Sequence, residues 1–188
     1  MMELCVRNLS KSYDGRAVLE NVSFTAPVGL TRIAGNSGIG KTTLLRILLG
    51  LERADGGEVA PKNLRWAAVF QEDRLLEGLD AAGNLRFVLG AAYDDSRAKA
   101  LLGALGLGDV GGKKVCDYSG GMKRRLALAR ALLAPCDALA LDEPFTGLDR
   151  TSRDAAQRAV LRAAEEKIVL LAAHETLALP THCGEVKL

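Results

Sequence analysis

The sequence of 188 residues contains no apolar run approaching the ~18 residues of a bilayer-spanning helix, so it is not expected to cross a membrane. Its opening, MMELCVRNLSKSYDG, lacks a basic segment followed by an apolar stretch, and no secretion signal is expected there. The four cysteines (Cys5, Cys116, Cys136, Cys183) form no C-x-x-C pair. That argues against a zinc site or redox pair and fits small buried or half-buried thiols in a reducing cytosol. Charge of one sign is also missing: 25 Lys and Arg stand against 23 Asp and Glu, a net charge of +2. Such a balance gives no ground for a nucleic-acid partner. The one locally basic trio, Lys123 to Arg125, reads as a solvated helix face. Neither an internal repeat nor a low-complexity linker interrupts the chain. Its length suits one domain with a sizeable core, and 48% apolar with 26% charged residues is ordinary for a globular protein.

Short apolar runs at Glu3 to Leu9, Val18 to Phe24, Leu30 to Ala34, Arg65 to Phe70, Ala138 to Leu141 and Ile168 to Ala172 read as strands. Helical stretches at Lys41 to Leu51, Arg97 to Leu105, Met122 to Leu133 and Ser152 to Glu165 fall between the later ones. Alternation of this kind points to an α/β fold, a mostly parallel sheet flanked by helices. The first strands precede any helix, which predicts an antiparallel β piece at the N-terminus. Between Gln71 and Ser119 the texture turns rich in Ala, Leu and Gly, with acids at Asp80, Asp94, Asp95 and Asp109. This segment is expected to be a helical insertion carrying little chemistry.

The stretch GNSGIGKTT, comprising Gly35, Asn36, Ser37, Gly38, Ile39, Gly40, Lys41, Thr42 and Thr43, follows a strand and opens a helix. It matches G-x-x-x-x-G-K-[ST], the phosphate-binding loop of a P-loop NTPase. Glycines let the backbone curl so that successive N–H groups point inward at phosphate oxygens. Lys41 adds a point charge for the β- and γ-phosphates, and the Thr42 hydroxyl can ligate Mg²⁺. Farther on, ALALDEP delivers Asp142 and Glu143 to the carboxyl end of a buried strand, where open α/β sheets bind ligands. Asp142 is expected to hold Mg²⁺ through water, and Glu143 to orient and polarise an attacking water. A third element, YSGGMKRRLALAR, begins with Ser119, a good N-cap, and with Gly120 and Gly121, which leave N–H groups open to an anion at a helix start.

Taken together, these elements resemble the ATP-binding cassette (ABC) ATPases. Ser119, Gly120 and Gly121 match the family signature L-S-G-G-Q. By the same resemblance, Tyr13 in KSYDGRAVL stacks on adenine, Gln71 in VFQEDRLL is the Q-loop residue facing the metal, Asp149 in TGLD belongs to the D-loop, and His174 in LLAAHE is the switch histidine facing the γ-phosphate. The implied cofactors are ATP and Mg²⁺. The implied partners are a transmembrane permease and a second subunit, each nucleotide lying between the cradle of one and the signature of the other in a homodimer or pseudo-dimer. That accounts for two anion-binding elements in one chain: the second serves the neighbour's nucleotide. Such a subunit would be cytoplasmic, peripheral at the inner face of the membrane through its permease. A single ABC ATPase domain over 1–188 is expected, with a catalytic core of about 1–71 and 136–188 and a helical insertion of about 72–135. Met122 stands where the family has glutamine, and Tyr118 where it has leucine. The insertion is shorter than usual, and no C-terminal regulatory domain is expected after His174. FQEDRLL is similar to the Q-loop region of nitrate, sulfonate and taurine importers. The alternative is a non-catalytic or soluble ABC-type nucleotide switch acting outside transport.

Overall fold

A computed structural model describes residues 2–173 and 183–188. It opens with two long antiparallel strands, β1 (Glu3–Tyr13) and β2 (Arg16–Pro27), joined at Asp14 and Gly15, both at positive φ. Asn8 and Asn21 also adopt positive φ and mark irregularities in the pairing, which twist the ribbon. Strand β3 (Gly29–Ala34) then leads into the loop before α1 (Lys41–Leu48). Next come β4 (Gly56–Ala60), β5 (Trp66–Val69), α2 (Ala81–Leu89), α3 (Asp95–Ala104), α4 (Gly120–Leu133), β6 (Ala138–Asp142), α5 (Arg150–Ala164), β7 (Ile168–Ala172) and β8 (Gly184–Lys187).

The strands form two sheets. One is antiparallel, in the order β2-β1-β4; the other has the order β5-β6-β7-β3-β8 with every pairing parallel. The expected α/β architecture with its antiparallel piece is therefore present. Strands β6 and β7 are buried along their whole length, as strands covered on both faces must be. Alternate residues divide between two cores. Leu139, Leu141, Val169 and Leu171 meet α2 to α5, whereas Ala138, Ala140, Ile168 and Leu170 meet α1 and the antiparallel ribbon. Among the described residues no helix is long and apolar enough to cross a membrane.

Three elements escaped the sequence reading. Strand β4 is a short edge strand reading GGEVA, α2 is a nine-residue helix with Gly83 inside it, and β8 has only four residues. Helix α1 ends earlier than its apolar pattern. Gly50 at φ 69 closes it, with Gly50 N–H donating to Ile47 O and Leu51 N–H to Arg46 O. Side-chain caps fix the other starts: Asp80 on α2, Asp94 on α3, Ser119 on α4 and Asp149 on α5 each accept from a backbone N–H three residues on. Cys116 is exposed, contrary to the expectation of buried or half-buried thiols. It lies in the short turn Val115–Asp117 just before the signature.

Candidate functional site

The parallel sheet sends its chemistry to one edge. The Gly35–Gly40 loop follows β3, Gln71 follows β5, and Asp142 closes β6 with Glu143 next in the chain. Strand β7, between β6 and β3, leads to His174, which lies outside the described residues. A cavity of about 300 Å³ opens at this edge. It is lined by Tyr13, Ser37, Gly38, Gly40, Lys41, Thr42, Thr43, Gln71, Asp142 and Glu143, so ten of the residues selected from sequence meet in one place; Val18 joins them from β2.

The loop's curvature depends on glycine. Gly35, Gly38 and Gly40 have φ of 153, 78 and 114. A Cβ at Gly40 would lie 2.9 Å from Val18 O and from Leu19 Cδ2, and one at Gly35 only 2.7 Å from Ile39 Cγ2. Lys41 is only 6% exposed. Its ammonium donates to Gly35 O at 2.8 Å and Asn36 O at 3.0 Å. Among the described residues no carboxylate pairs with it. A buried cation satisfied by carbonyls alone carries uncompensated charge, and an anion in the cavity would complete it. Beside it the Thr42 hydroxyl donates to Asp142 Oδ2 at 2.7 Å. A hydroxyl and a buried carboxylate together make the hard oxygen donor set that suits Mg²⁺. The residues therefore fit both ATP and its cation.

Glu143 sits at φ 51, an uncommon backbone conformation for a residue with a side chain. Its N–H donates to Ala172 O at 2.8 Å, and Thr146 Oγ1 lies 3.4 Å from its Oε2. The turn begun there carries Thr146 and Gly147 beneath a second cavity of about 560 Å³, which also takes in Gly120, Gly121, Gln71 and Glu143. Ser119 accepts from Met122 N–H at 3.3 Å and starts α4. Asp149 accepts from the N–H and hydroxyl of Ser152, at 2.9 and 2.8 Å, and those bonds hold its carboxyl below the usual range. Neither Ser119 nor Asp149 reaches the cavity that holds Lys41. Tyr118, the other departure from the signature, packs into the core, where burial raises its phenol pKa.

The structure departs from the sequence expectation at Arg124 as well. The Lys123–Arg125 trio is not a solvated face: Lys123 does pair with Glu77, but Arg124 is 5% exposed. It reaches the backbone of both the Gln71 loop and the acidic pair. The helix that follows the signature thus supplies a buried guanidinium. Its signal was readable, because Arg124, Ala127, Leu128 and Ala131 share the buried stripe of α4 at i, i+3, i+4 and i+7.

A glycine loop around a buried lysine, at the carboxyl edge of a parallel sheet and facing an acidic pair, defines a P-loop nucleotide site. The sequence matches the ABC transporter family over residues 19–146, more than half of the chain. It is 37% identical to the aliphatic sulfonates import ATP-binding protein SsuB 1 of Paracoccus denitrificans, over 95% of this chain and 72% of that protein. A protein of the same name from Rhizobium johnstonii is 38% identical over 85% of this chain and 62% of that protein. In fold, the chain is similar to a putative ABC transporter ATP-binding protein from Pyrococcus furiosus, with a TM-score of 0.87 and 24% identity over 99% of this chain and 97% of that one. The chain belongs to the ABC transporter family, and it is an ATP-binding subunit with ATPase activity.

Proposed function

We propose that this chain hydrolyses ATP to power an importer whose substrate path lies in a separate membrane permease. The observation that carries the reading is Lys41, a buried cation that shares its cavity with the Glu143 carboxylate. The loop N–H groups and Lys41 hold the β- and γ-phosphates, and Tyr13 stacks on the adenine. Thr42, Asp142 and Gln71 would hold Mg²⁺, which when bound neutralises charge developing on the phosphates. Glu143 orients and polarises the attacking water, and His174 contacts the γ-phosphate. Because Glu143 lines the same cavity as Lys41, a non-catalytic switch is not favoured.

Gly120 and Gly121 support a second subunit in the reaction. Neither has positive φ, and a Cβ would meet nothing within 4 Å at Gly120 and only ordinary contacts at Gly121. Nothing among the described residues demands glycine there, whereas close approach of another molecule's phosphate would. In this reading Ser119, Gly120, Gly121 and Asp149 complete the nucleotide site of the partner in a head-to-tail homodimer or pseudo-dimer. The unit is a single ABC ATPase domain with its core at about 1–71 and 136–188. The insertion, about 72–135, presents Phe87, Val88, Leu76 and Leu79 as exposed apolar side chains to the permease. In this reading the subunit works in the cytoplasm, against the inner face of the membrane. The names of the relatives make an aliphatic sulfonate the first cargo to test.

The test uses Glu143→Gln, which keeps the side chain's shape and removes its charge. With saturating ATP and Mg²⁺ this variant should form a dimer by light scattering, and with ADP it should remain a monomer. Adding Gly121→Asp sets a negative charge against the partner's γ-phosphate and should abolish the dimer while ATP binding persists. A Glu143→Gln protein that stays monomeric with ATP, with and without the permease, removes the support for a shared site.

A further inference from the structure

The loop after β5 has no regular structure, yet the carbonyls of Phe70, Gln71, Asp73 and Arg74 are all taken. Arg124 Nη1 donates to Phe70 O and to Gln71 O at 3.2 Å, and it pairs with Asp73 Oδ1 at 3.0 Å. Two turns along α4, Arg130 donates to Asp73 O at 2.8 Å and Arg74 O at 2.7 Å. The Arg74 guanidinium in turn lies 4.8 Å from the centre of the Phe70 ring. Two arginines of α4 therefore fix the path of the segment that carries Gln71.

The other side of Arg124 points elsewhere. Its Nη2 donates to Asp142 O at 3.1 Å and to Glu143 O. Those carbonyls flank the backbone of Glu143, whose φ of 51 is unfavourable for a residue with a Cβ and lasts only where its surroundings hold it. Among the bonds that do so, the N–H donates to Ala172 O, and the carbonyl accepts from the Arg124 guanidinium and, at 3.3 Å, from Thr146 N–H. A guanidinium offers a rigid planar fork of donors, so one side chain can span two backbone segments without adapting to either. Lysine donates from a single nitrogen and cannot reproduce that fork.

We propose that Arg124 is a positioning residue: it holds the left-handed turn that directs Glu143 into the Lys41 cavity and ties that turn to the position of the Gln71 loop. The inference rests on the reading of Glu143 as the hydrolytic carboxylate. Movement of the Gln71 loop then reaches Glu143 through one buried side chain, and α4, which begins at the signature, carries the connection. A mere staple of the fold would act on stability and leave the chemical step alone. A positioning residue acts on kcat, because misplacing a reacting group by ~1 Å costs on the order of 100-fold in rate.

The experiment compares the wild-type subunit, Glu143→Gln and Arg124→Lys for ATP affinity, KM, kcat and melting temperature. Wild type that hydrolyses ATP and Glu143→Gln that does not establish the underlying reading; failure there is failure of that reading, independent of Arg124. Given that control, Arg124→Lys should lower kcat by roughly 10- to 100-fold while Kd and KM for ATP stay within about 3-fold, a split worth less than a factor of ten in binding. The kcat loss from Gln71→Ala should also shrink in the Arg124→Lys background, since the two changes break one connection. Unchanged kcat per ATP-bound molecule, or strictly additive losses, overturns the proposal. If Arg124→Lys fails to fold, Asp73→Asn releases one hold on Nη1 from a partly exposed carboxylate. It should lower kcat measurably at constant ATP affinity, and no change in kcat there overturns the proposal as well.

Discussion

Replacing Lys41 by methionine separates what the lysine does for the fold from what it does for the ligand. In the free protein its ammonium makes two hydrogen bonds to loop carbonyls at 2.8 and 3.0 Å. Each bond to a charged group contributes about 1.5–3 kcal/mol. Burying an ammonium with no counter-charge costs several kcal/mol in the opposite direction. The two nearly cancel, so Lys41→Met should change stability by only about 1 kcal/mol, or about 2–4 °C in melting temperature for a chain of this size. The bound state is different. One unit charge about 4 Å from a phosphate charge, at an effective dielectric constant near 20, is worth about 4 kcal/mol. Losing most of that weakens ATP binding by a factor of roughly 10²–10³. Thermal unfolding in the Glu143→Gln background reads both quantities without consuming nucleotide. ATP at about 100 times Kd should stabilise the Lys41 protein by about 2.7 kcal/mol, and so raise its melting temperature by about 5–10 °C. The Lys41→Met protein should show almost no such rise at the same concentration. A variant that keeps the ATP-induced rise, or that melts far lower without nucleotide, refutes the reasoning.

Gly40→Ala should destabilise the protein by about 1–3 kcal/mol and weaken ATP binding, because φ is 114 and the new Cβ would lie 2.9 Å from Val18 O; unfolding and calorimetry together check this. Tyr13 lines the cavity with 41% of its surface exposed, so Tyr13→Ala should weaken ATP binding by ~1–3 kcal/mol while Tyr13→Trp largely keeps it; an alanine variant with unaltered affinity dismisses the stacking. Asp137 is held at about 2, well below its ordinary 3.8, first by the Arg65 side chain, then by its backbone N–H, with Lys167 also nearby. A depressed carboxyl stabilises the fold above its unfolded pKa and loses that contribution as pH falls toward the folded value. The melting-temperature gap between wild type and Asp137→Asn should therefore be full near neutral pH and narrow from about pH 4 downward; a gap independent of pH excludes the pairing.

Much of the site was legible because loop and strand motifs are local. The glycines of 35–40 and the carboxylates after β6 announce their backbone needs within a few residues, and the structure gathers them. What the sequence hid is longer in range. Strand β4 pairs with β1 across more than forty residues of chain, and its own GGEVA has too little apolar alternation to be noticed. Helix α2 is disguised by Gly83, whose cost is offset by the Asp80 cap and by Asn84, which is buried and bonds both Leu76 and Asp80. Arg124 was misread because a charge run was judged by composition, while its place on the apolar stripe of α4 was left uncounted. A charge on such a stripe asks which acceptors meet it, and the answer lay in two segments far away in sequence.

The alternation along β6 and β7 also bears on how this protein can change over time. One strand face supplies Leu139, Leu141, Val169 and Leu171 to the helices α2 to α5; the other supplies Ala138, Ala140, Ile168 and Leu170 to α1 and the ribbon. Successive positions in one stretch of chain thus answer to different neighbours. Substitutions without shared partners combine almost independently, whereas those that touch are coupled. A lineage can therefore remodel the helical side, where we place the permease contact, through odd positions of these strands. The even positions, packed behind the nucleotide loop, can stay as they are, so drift toward a new membrane partner need not disturb the engine that drives it.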